Sequence, residues 1–561
     1  MTTVQEISVD DARDSRPEAG PRPRSGVRTA RRERGRVTAA IAAIWPALLP
    51  ALVALGLCGY QLTLSHALAG IHGYTGYGYD DGVYLGTAIR LVHGVLPYRD
   101  YAFVHPPGIA LLMTPAALVG RFAGTRDAMA VARLLTVLVV GINAGLAAWV
   151  VRSRGRGAML VAGLALACFP LARIADHTVM LEPYLVFFCL AGACVMFDRD
   201  GALAGSRRLL VAGALFGFAG AIKLFAIFPV VAALCCCLPL VRRLRAYVVG
   251  LALGFGVVVL PFFVLAPRAM FHDVIVSQLG RGASGRGNLP FPWRLVLMFG
   301  IGGLQSVQTR GSIADWVAAG LVVLVVAGFF AAGRRWSRVE WFLFGATAVT
   351  VTAMLSSAQF FEQYAYFAFP FGAMLLATSV GRIGEFATRA SPRLQGRSAD
   401  ALRLAGAVAL PAVLVVGALS LIPSDVNAER ALLAGAADPG SLVAQAIPRG
   451  ACVVTDDPMI LVNANRVVAA QPGCPQTVDA YGMWLTDNNQ TPPPAEPPFP
   501  AAFTAKWRGW FERADYVALS VQLTNYIPWT TELVAWFNVN YTLELTLPRT
   551  YVYRRVGEQY G

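Results

Sequence analysis

Charge is what this 561-residue chain has least of: 14% of its residues are Asp, Glu, Lys or Arg, and 56% are hydrophobic. That balance excludes an ordinary soluble protein. Lysine is nearly absent, with Lys223 and Lys506 the two in the chain. No spacing of Cys and His residues matches a metal-binding motif. Seven of the nine cysteines (Cys58, Cys168, Cys189, Cys194 and Cys235 to Cys237) lie in apolar runs, where they behave as small hydrophobes and carry no redox information. Cys452 and Cys474 stand in a more polar tail and could pair if that tail faces an oxidising exterior. No internal repeat is evident. No cleavable signal peptide precedes the first apolar run, which is therefore expected to serve as an uncleaved signal anchor.

What is present is a series of apolar runs of about 14 to 28 residues, most of them long enough to cross a bilayer. The net charge of +14 is distributed as a membrane protein distributes it. Basic residues gather at alternate ends of the runs: Arg13 to Arg36, Arg152/Arg154/Arg156, Arg199/Arg207/Arg208, Arg242/Arg243/Arg245, Arg334/Arg335/Arg338 and Arg382 to Arg403. This is positive-inside placement and argues against a nucleic-acid partner. The expected spans are 37–64, 129–151, 158–171, 181–197, 209–222, 225–241, 247–265, 314–332, 341–355, 364–380 and 404–421. The segment 107–122, broken by Pro115, reads as interfacial or re-entrant, since a full span there would reverse every later basic loop. The expected fold is an α-helical polytopic membrane protein with about eleven transmembrane helices. Residues 1–36 are expected to be a disordered cytoplasmic tail, 37–422 the membrane domain with an external loop at 65–128, and 423–561 an extracytoplasmic α/β domain. The last reading rests on strand patterns at 451–455, 516–521 and 541–547, with helical stretches at 425–435 and 530–537. Asp457 before Pro458 reads as a helix N-cap, with an acid site as the alternative.

Candidate chemistry collects on the outer side. The stretch 77–112 opens with Asp80 and Asp81 at the start of an amphipathic pattern whose apolar face carries Leu85, Ala88, Ile89 and Val92, and it ends on His105-Pro106-Pro107. A carboxylate pair on an interfacial helix suits a base acting on a lipid-linked substrate; the alternative is that both stabilise the helix N-terminus. Further on stand Arg173, Asp176, His177 and Glu182, the last also placed to stabilise a helix start. Lys223 interrupts an apolar stretch, where it either snorkels to the interface or offers a point charge to a lipid phosphate. Residues 271–311 read as a long glycine-rich outer loop with Gln278, Arg281 and Arg286, its ionisable groups including His272, Asp273 and Arg310, and Glu362 and Tyr364 open a late aromatic segment.

This layout resembles the C-type glycosyltransferases, polytopic enzymes that use polyprenyl-phosphate sugars. The resemblance spans roughly residues 38–422 and is carried by short motifs. Asp80-Asp81 is similar to the acidic pair of their first external loop, and His105-Pro106-Pro107 to a motif of the protein-mannosyltransferase branch. Arg173 to Pro183 looks like the second acidic segment, and 359–370 like the aromatic-Tyr-Pro segment near the donor site. The resemblance implies a plasma-membrane glycosyltransferase that moves a hexose or pentose from a polyprenyl-phosphate donor to an extracytoplasmic glycan, lipid or protein acceptor. It implies inversion in a single displacement, with Asp80 or Asp81 as base. His105, Arg173, Glu182, Lys223, Arg281, Glu362 and Tyr364 would bind substrate. No cofactor is expected and the sequence requires no metal, though some relatives use a divalent ion. The rival readings are a transporter or lipid flippase, and a non-catalytic glycan-binding protein.

Overall fold

A computed structural model of the chain describes residues 25–65, 78–169, 177–238, 240–281, 289–298, 311–331, 336–390, 439–487, 499–520, 526–548 and 550–557, with Ala175 and a few positions between 415 and 427. The apolar runs are helices: α1 (Ser25–Ser65), α2 (Gly78–Val92), α3 (Gly108–Ala123), α4 (Thr125–Val150), α5 (Gly155–Ala167), α6 (Leu181–Met196), α7 (Ser206–Ile222), α8 (Ile227–Cys237), α9 (Val241–Leu265), α10 (Phe291–Met298), α11 (Gly311–Ala331), α12 (Arg338–Ser356) and α13 (Glu362–Ala390). Among the described residues five stretches are long and apolar enough to cross a membrane, namely Ile44–Leu64, Thr125–Val150, Val241–Leu265, Arg338–Ser356 and Glu362–Phe386. Gly108–Ala123, Leu181–Met196 and Leu224–Cys237 are shorter apolar helices. Each expected span has a helix at its place except 404–421, which lies largely outside the described residues, as does the helical stretch expected at 425–435.

Three sequence expectations need correction. The amino-terminal helix starts at Ser25, so the basic run before position 37 is helical in its described part. Residues 271–311 are not one long loop: a π-helical turn (His272–Val276) follows a short helix at Pro267–Phe271, and α10 lies beyond. Finally, α2 does not lie with one face in the interface. Asp81 through Arg90 are all buried, polar side included.

The helices pack closely because small residues permit it. Gly213 and Gly217 of α7 face Gly250 and Gly254 of α9, and a Cβ on any of them would collide with backbone carbonyl oxygens of the opposite helix. Such small-xxx-small faces let helices approach where lipid supplies no hydrophobic driving force. The expected cytoplasmic loops meet at one end of the bundle. Arg152 donates to the carbonyls of Phe197 and Asp198, Arg243 to that of Leu203, and Glu340 binds both Arg154 (2.8 Å) and Arg382 (2.6 Å).

The tail holds α14 (Pro439–Ala446), β1 (Val453–Thr455), α15 (Pro458–Ala464), α16 (Ala480–Asp487), α17 (Ala501–Phe511), β2 (Tyr516–Ser520), α18 (Thr531–Asn540), β3 (Tyr541–Leu547) and β4 (Thr550–Arg555). Its sheet has the order β1-β2-β4-β3, with β1 and β2 parallel and the other pairs antiparallel. Asp457 caps α15 by accepting from the Met459 N–H at 2.9 Å, with Pro458 in the first turn, as its sequence suggests. Cys452 and Cys474 form a disulfide with Cα atoms 5.5 Å apart.

One apolar core is shared between the tail and the membrane part. Val83, Leu85, Ile109 and Met113 belong to the same buried cluster as Val443, Val453, Met459 and Ile460. Gly82 of α2 lies so near the Met459 backbone that a Cβ there would sit 2.5 Å from its nitrogen. Arg90 donates to Gln476 (2.8 Å), and the Thr125 hydroxyl to the Val462 carbonyl (2.5 Å). The tail domain therefore roofs α2, which explains why the helix has no wet face.

Candidate active site

The two carboxylates that open α2 have different surroundings. Asp81 points into the protein and is fully buried. Arg133 of α4 grips one of its oxygens with Nε at 3.0 Å and Nη2 at 2.6 Å, and the Val179 N–H donates to the other at 2.5 Å. Burial raises its pKa while Arg133 and the Val179 N–H oppose the rise. Both oxygens are spoken for, so Asp81 ties α2 to α4 and to the chain entering α6. Arg133 is a residue that sequence reasoning passed over. An arginine within an apolar span was the available signal, since a charge at that depth needs a partner.

Asp80, one residue earlier, makes no hydrogen bond or ion pair with any described residue. Its carboxyl is pushed up to about 7, first by burial, then by the negative charges of Asp479 and Glu182, with Lys223 opposing and Asp81 adding to the rise. A carboxyl that titrates near neutrality and is free to accept a proton has the properties of a general base.

Lys223 ends α7 in extended backbone, where the chain breaks before a 3-10 turn at Leu224–Ala226. It does not snorkel. Its ammonium is buried, 2.6 Å from Glu182 in the first turn of α6, and lies 4.5 Å from the ring centres of both Phe225 and Tyr364. Glu362 opens α13, the helix that carries Tyr364.

His105 is held through its backbone neighbours. The Phe103 N–H donates to Asp273 (3.1 Å), Gln278 donates to the Val104 carbonyl (2.8 Å), and the Tyr98 hydroxyl donates to the His105 carbonyl (2.5 Å). Two of these anchors come from the π-turn and the residues after it, an irregularity that often marks functional sites. The imidazole stands edge-on to Tyr84 and Phe103, with Nε2 3.4 Å from the Tyr84 hydroxyl. Burial, then Lys223 and Arg281, hold its pKa well below the usual histidine value. At neutral pH it offers a hydrogen bond, not a charge.

Arg281 lies over the Tyr481 ring at 5.5 Å, and its buried Nε has no hydrogen-bond partner among the described residues. Tyr481 comes from the tail domain, as does Asp479, which accepts from the Tyr79 hydroxyl at 2.5 Å and the Gly482 N–H at 2.7 Å. Neither was expected at this site. Asp479 lies 400 positions from its Tyr79 partner, so no local pattern marks it.

The structure thus gathers Asp80, Asp81, His105, Glu182, Lys223, Asp273, Arg281 and Tyr364 around the start of α2 and adds Arg133, Asp479 and Tyr481. Arg173 lies outside the described residues, as do Asp176, Arg286 and Arg310. Among the described residues no three His, Cys, Asp or Glu side chains converge as a metal site would require.

Residues 103–357 match the model of Glycosyltransferase family 87. The match takes in His105, Glu182, Lys223 and Arg281, but neither Asp80 nor the tail. Among solved structures, ArnT from Cupriavidus metallidurans bound to undecaprenyl phosphate is similar over 89% of this chain and 97% of its own, with TM-score 0.58 and 16% identity. The Archaeoglobus fulgidus oligosaccharyltransferase in complex with Zn and sulfate aligns over 91% of this chain and 73% of its own, with TM-score 0.47 and 13% identity. No curated protein matches the chain in sequence. With the ArnT-like fold along most of its length and the Glycosyltransferase family 87 model matched over residues 103–357, the chain is a polytopic membrane protein with a fold like that of the C-type glycosyltransferases.

Proposed function

We propose that this protein transfers a sugar from a polyprenyl-phosphate donor to a hydroxyl acceptor at the outer membrane surface, with Asp80 as general base. The observation that carries the reading is the unpaired Asp80 carboxyl, raised to about 7, within electrostatic reach of the Lys223–Glu182 pair. The acceptor hydroxyl attacks the anomeric carbon and gives its proton to Asp80. The bond from that carbon to the phosphate oxygen breaks, and its electron pair leaves with the lipid phosphate. Lys223 and Arg281 supply positive charge for that phosphate, and neutral His105 supplies a hydrogen bond. Asp81 holds α2 in place and takes no proton. The fold likeness to a protein crystallised with undecaprenyl phosphate supports the donor class. The motif at His105 is the basis for the mannosyltransferase-like branch, and hexose and pentose donors both remain candidates.

The basic loops that meet at one end of the bundle, opposite the tail domain in the expected topology, support a cytoplasmic amino end and an extracytoplasmic tail. Reporter fusions after Arg338 and after Gly435 should report opposite compartments.

The test is reconstitution of the purified protein in lipid nanodiscs with a panel of polyprenyl-phosphate hexoses and pentoses, read as release of the lipid phosphate with transfer to added envelope acceptors. Turnover with one donor, lost in Asp80→Asn, supports the reading. Turnover that survives Asp80→Asn removes Asp80 as base. Movement of labelled lipid across the bilayer without sugar transfer would favour a flippase.

A further inference from the structure

The tail domain is more than a cover. The start of α16, from Asp479 to Gly482, enters the site and is tied there at four points. The Tyr79 hydroxyl donates to Asp479 at 2.5 Å and accepts the Tyr481 N–H at 3.2 Å. The Tyr481 hydroxyl donates to Gln359 at 3.2 Å, and the Arg281 guanidinium lies on the Tyr481 ring. A Cβ at Gly482 would strike the Asp479 carboxylate, so the turn that aims this carboxylate tolerates no side chain there. Tyr79 is the residue immediately before Asp80. One carboxylate from the far end of the chain is therefore fixed to the neighbour of the proposed base.

We propose that the tail domain is part of the catalytic site, with Asp479 as a positioning residue. Its negative charge, held through Tyr79, governs the protonation of Asp80, and its docking with Tyr481 places Arg281. This rests on the reading of Asp80 as base. The groups that act on Asp80 are Asp479 from the tail, Glu182 from α6, Lys223 at the end of α7, and Asp81 on its own helix. Glu182 and Lys223 neutralise one another, and Asp81 is neutralised by Arg133. Asp479, whose charged form is favoured by the Tyr79 hydroxyl, the Gly482 N–H and nearby Arg281, ranks first among the charges that raise Asp80. The two carboxyls titrate as a coupled pair.

The chemistry has a use. A base held near neutrality accepts the acceptor's proton more readily than an ordinary carboxylate, and the charge that raises it comes from a domain that closes the site only when docked.

The experiment is the pH–rate profile of the full-length protein in nanodiscs, using the donor found active above. Asp479→Asn keeps the cap to Gly482 and an acceptor for Tyr79 but removes the charge. Its acidic limb should move down by about one pH unit, as loss of a nearby like charge requires. For a base titrating at about 7, the rate at pH 6 relative to pH 8 then rises about five-fold. Tyr79→Phe should move the limb in the same direction, because Asp479 loses the hydrogen bond that favours its charged form, and it provides the reading should Asp479→Asn fail to fold. A variant that loses rate with an unmoved limb would show that Asp479 is a helix cap only, and would overturn the proposal. If Asp80→Asn retained turnover, the base assignment itself would fall; if it abolished turnover while both limbs stayed in place, this inference alone would.

Discussion

Replacing each of the adjacent aspartates by asparagine should produce opposite effects on stability, although the substitutions are chemically identical. Asp81 is buried against Arg133, with both of its oxygens engaged. Asp81→Asn leaves the guanidinium buried without its counter-charge, and breaking a buried pair in this way costs about 3–5 kcal/mol. Asp80 has no hydrogen-bond or ion-pair partner among the described residues, and its carboxyl is raised from 3.8 to about 7 by burial and neighbouring negative charge. The folded state therefore binds the Asp80 proton more tightly than the unfolded chain does. Its stabilising contribution is complete below pH 3.8, is lost as the pH rises, and is gone above about 7. That loss corresponds to roughly 4 kcal/mol at most, at 1.36 kcal/mol per unit. Asp80→Asn removes the penalty and keeps the shape. It should melt higher than the parent at pH 8 and converge with it near pH 4, while transfer falls by about 10² to 10⁴-fold. Asp81→Asn should melt lower at pH 8, where the parent's Asp81 is ionised. The assay is the apparent melting temperature of detergent-solubilised protein across pH 4–8, paired with the transfer rate at pH 8. Lower melting for Asp80→Asn, or an Asp81→Asn variant as stable as the parent, would refute this division of roles.

Lys223→Met should destabilise the protein by about 3–5 kcal/mol because Glu182 is left buried and unpaired. Adding Glu182→Gln should restore the melting temperature but not donor affinity, and recovery of affinity would remove Lys223 from the phosphate site. Gly213→Leu should cost more than about 2 kcal/mol, since the α7–α9 contact has no room for a side chain. Gly157→Ala, with open space around its Cα, should cost nothing measurable by the same melt. Reducing the Cys452–Cys474 bridge should lower stability by about 3 kcal/mol, as expected for a loop of this length. Alkylation of non-reduced, denatured protein should leave both of these cysteines unlabelled, and two reactive tail thiols would contradict the bridge.

Much of this molecule is written in local pattern. The apolar runs state where the membrane helices lie, because a bilayer requires about 20 apolar residues whatever the fold. Asp457-Pro458 announces a helix start, since capping depends on a few consecutive residues. The acidic and basic residues at the ends of the apolar runs were recognisable for the same reason: a charge beside an apolar run stands out before any packing is known. What each one does was decided by tertiary structure. Asp80 and Asp81 are equivalent in sequence, and the 100° turn between neighbours on a helix sends one toward Arg133 and leaves the other unpaired. Periodicity marked a half-wet α2, whereas the tail domain covers its polar side, and no local pattern records what a distant domain will bury. Lys223 found Glu182 across 41 positions, and Tyr79 found Asp479 across 400. Such pairings depend on which surfaces the folded chain brings together, so the helices belong to the sequence and the site belongs to the packing between them.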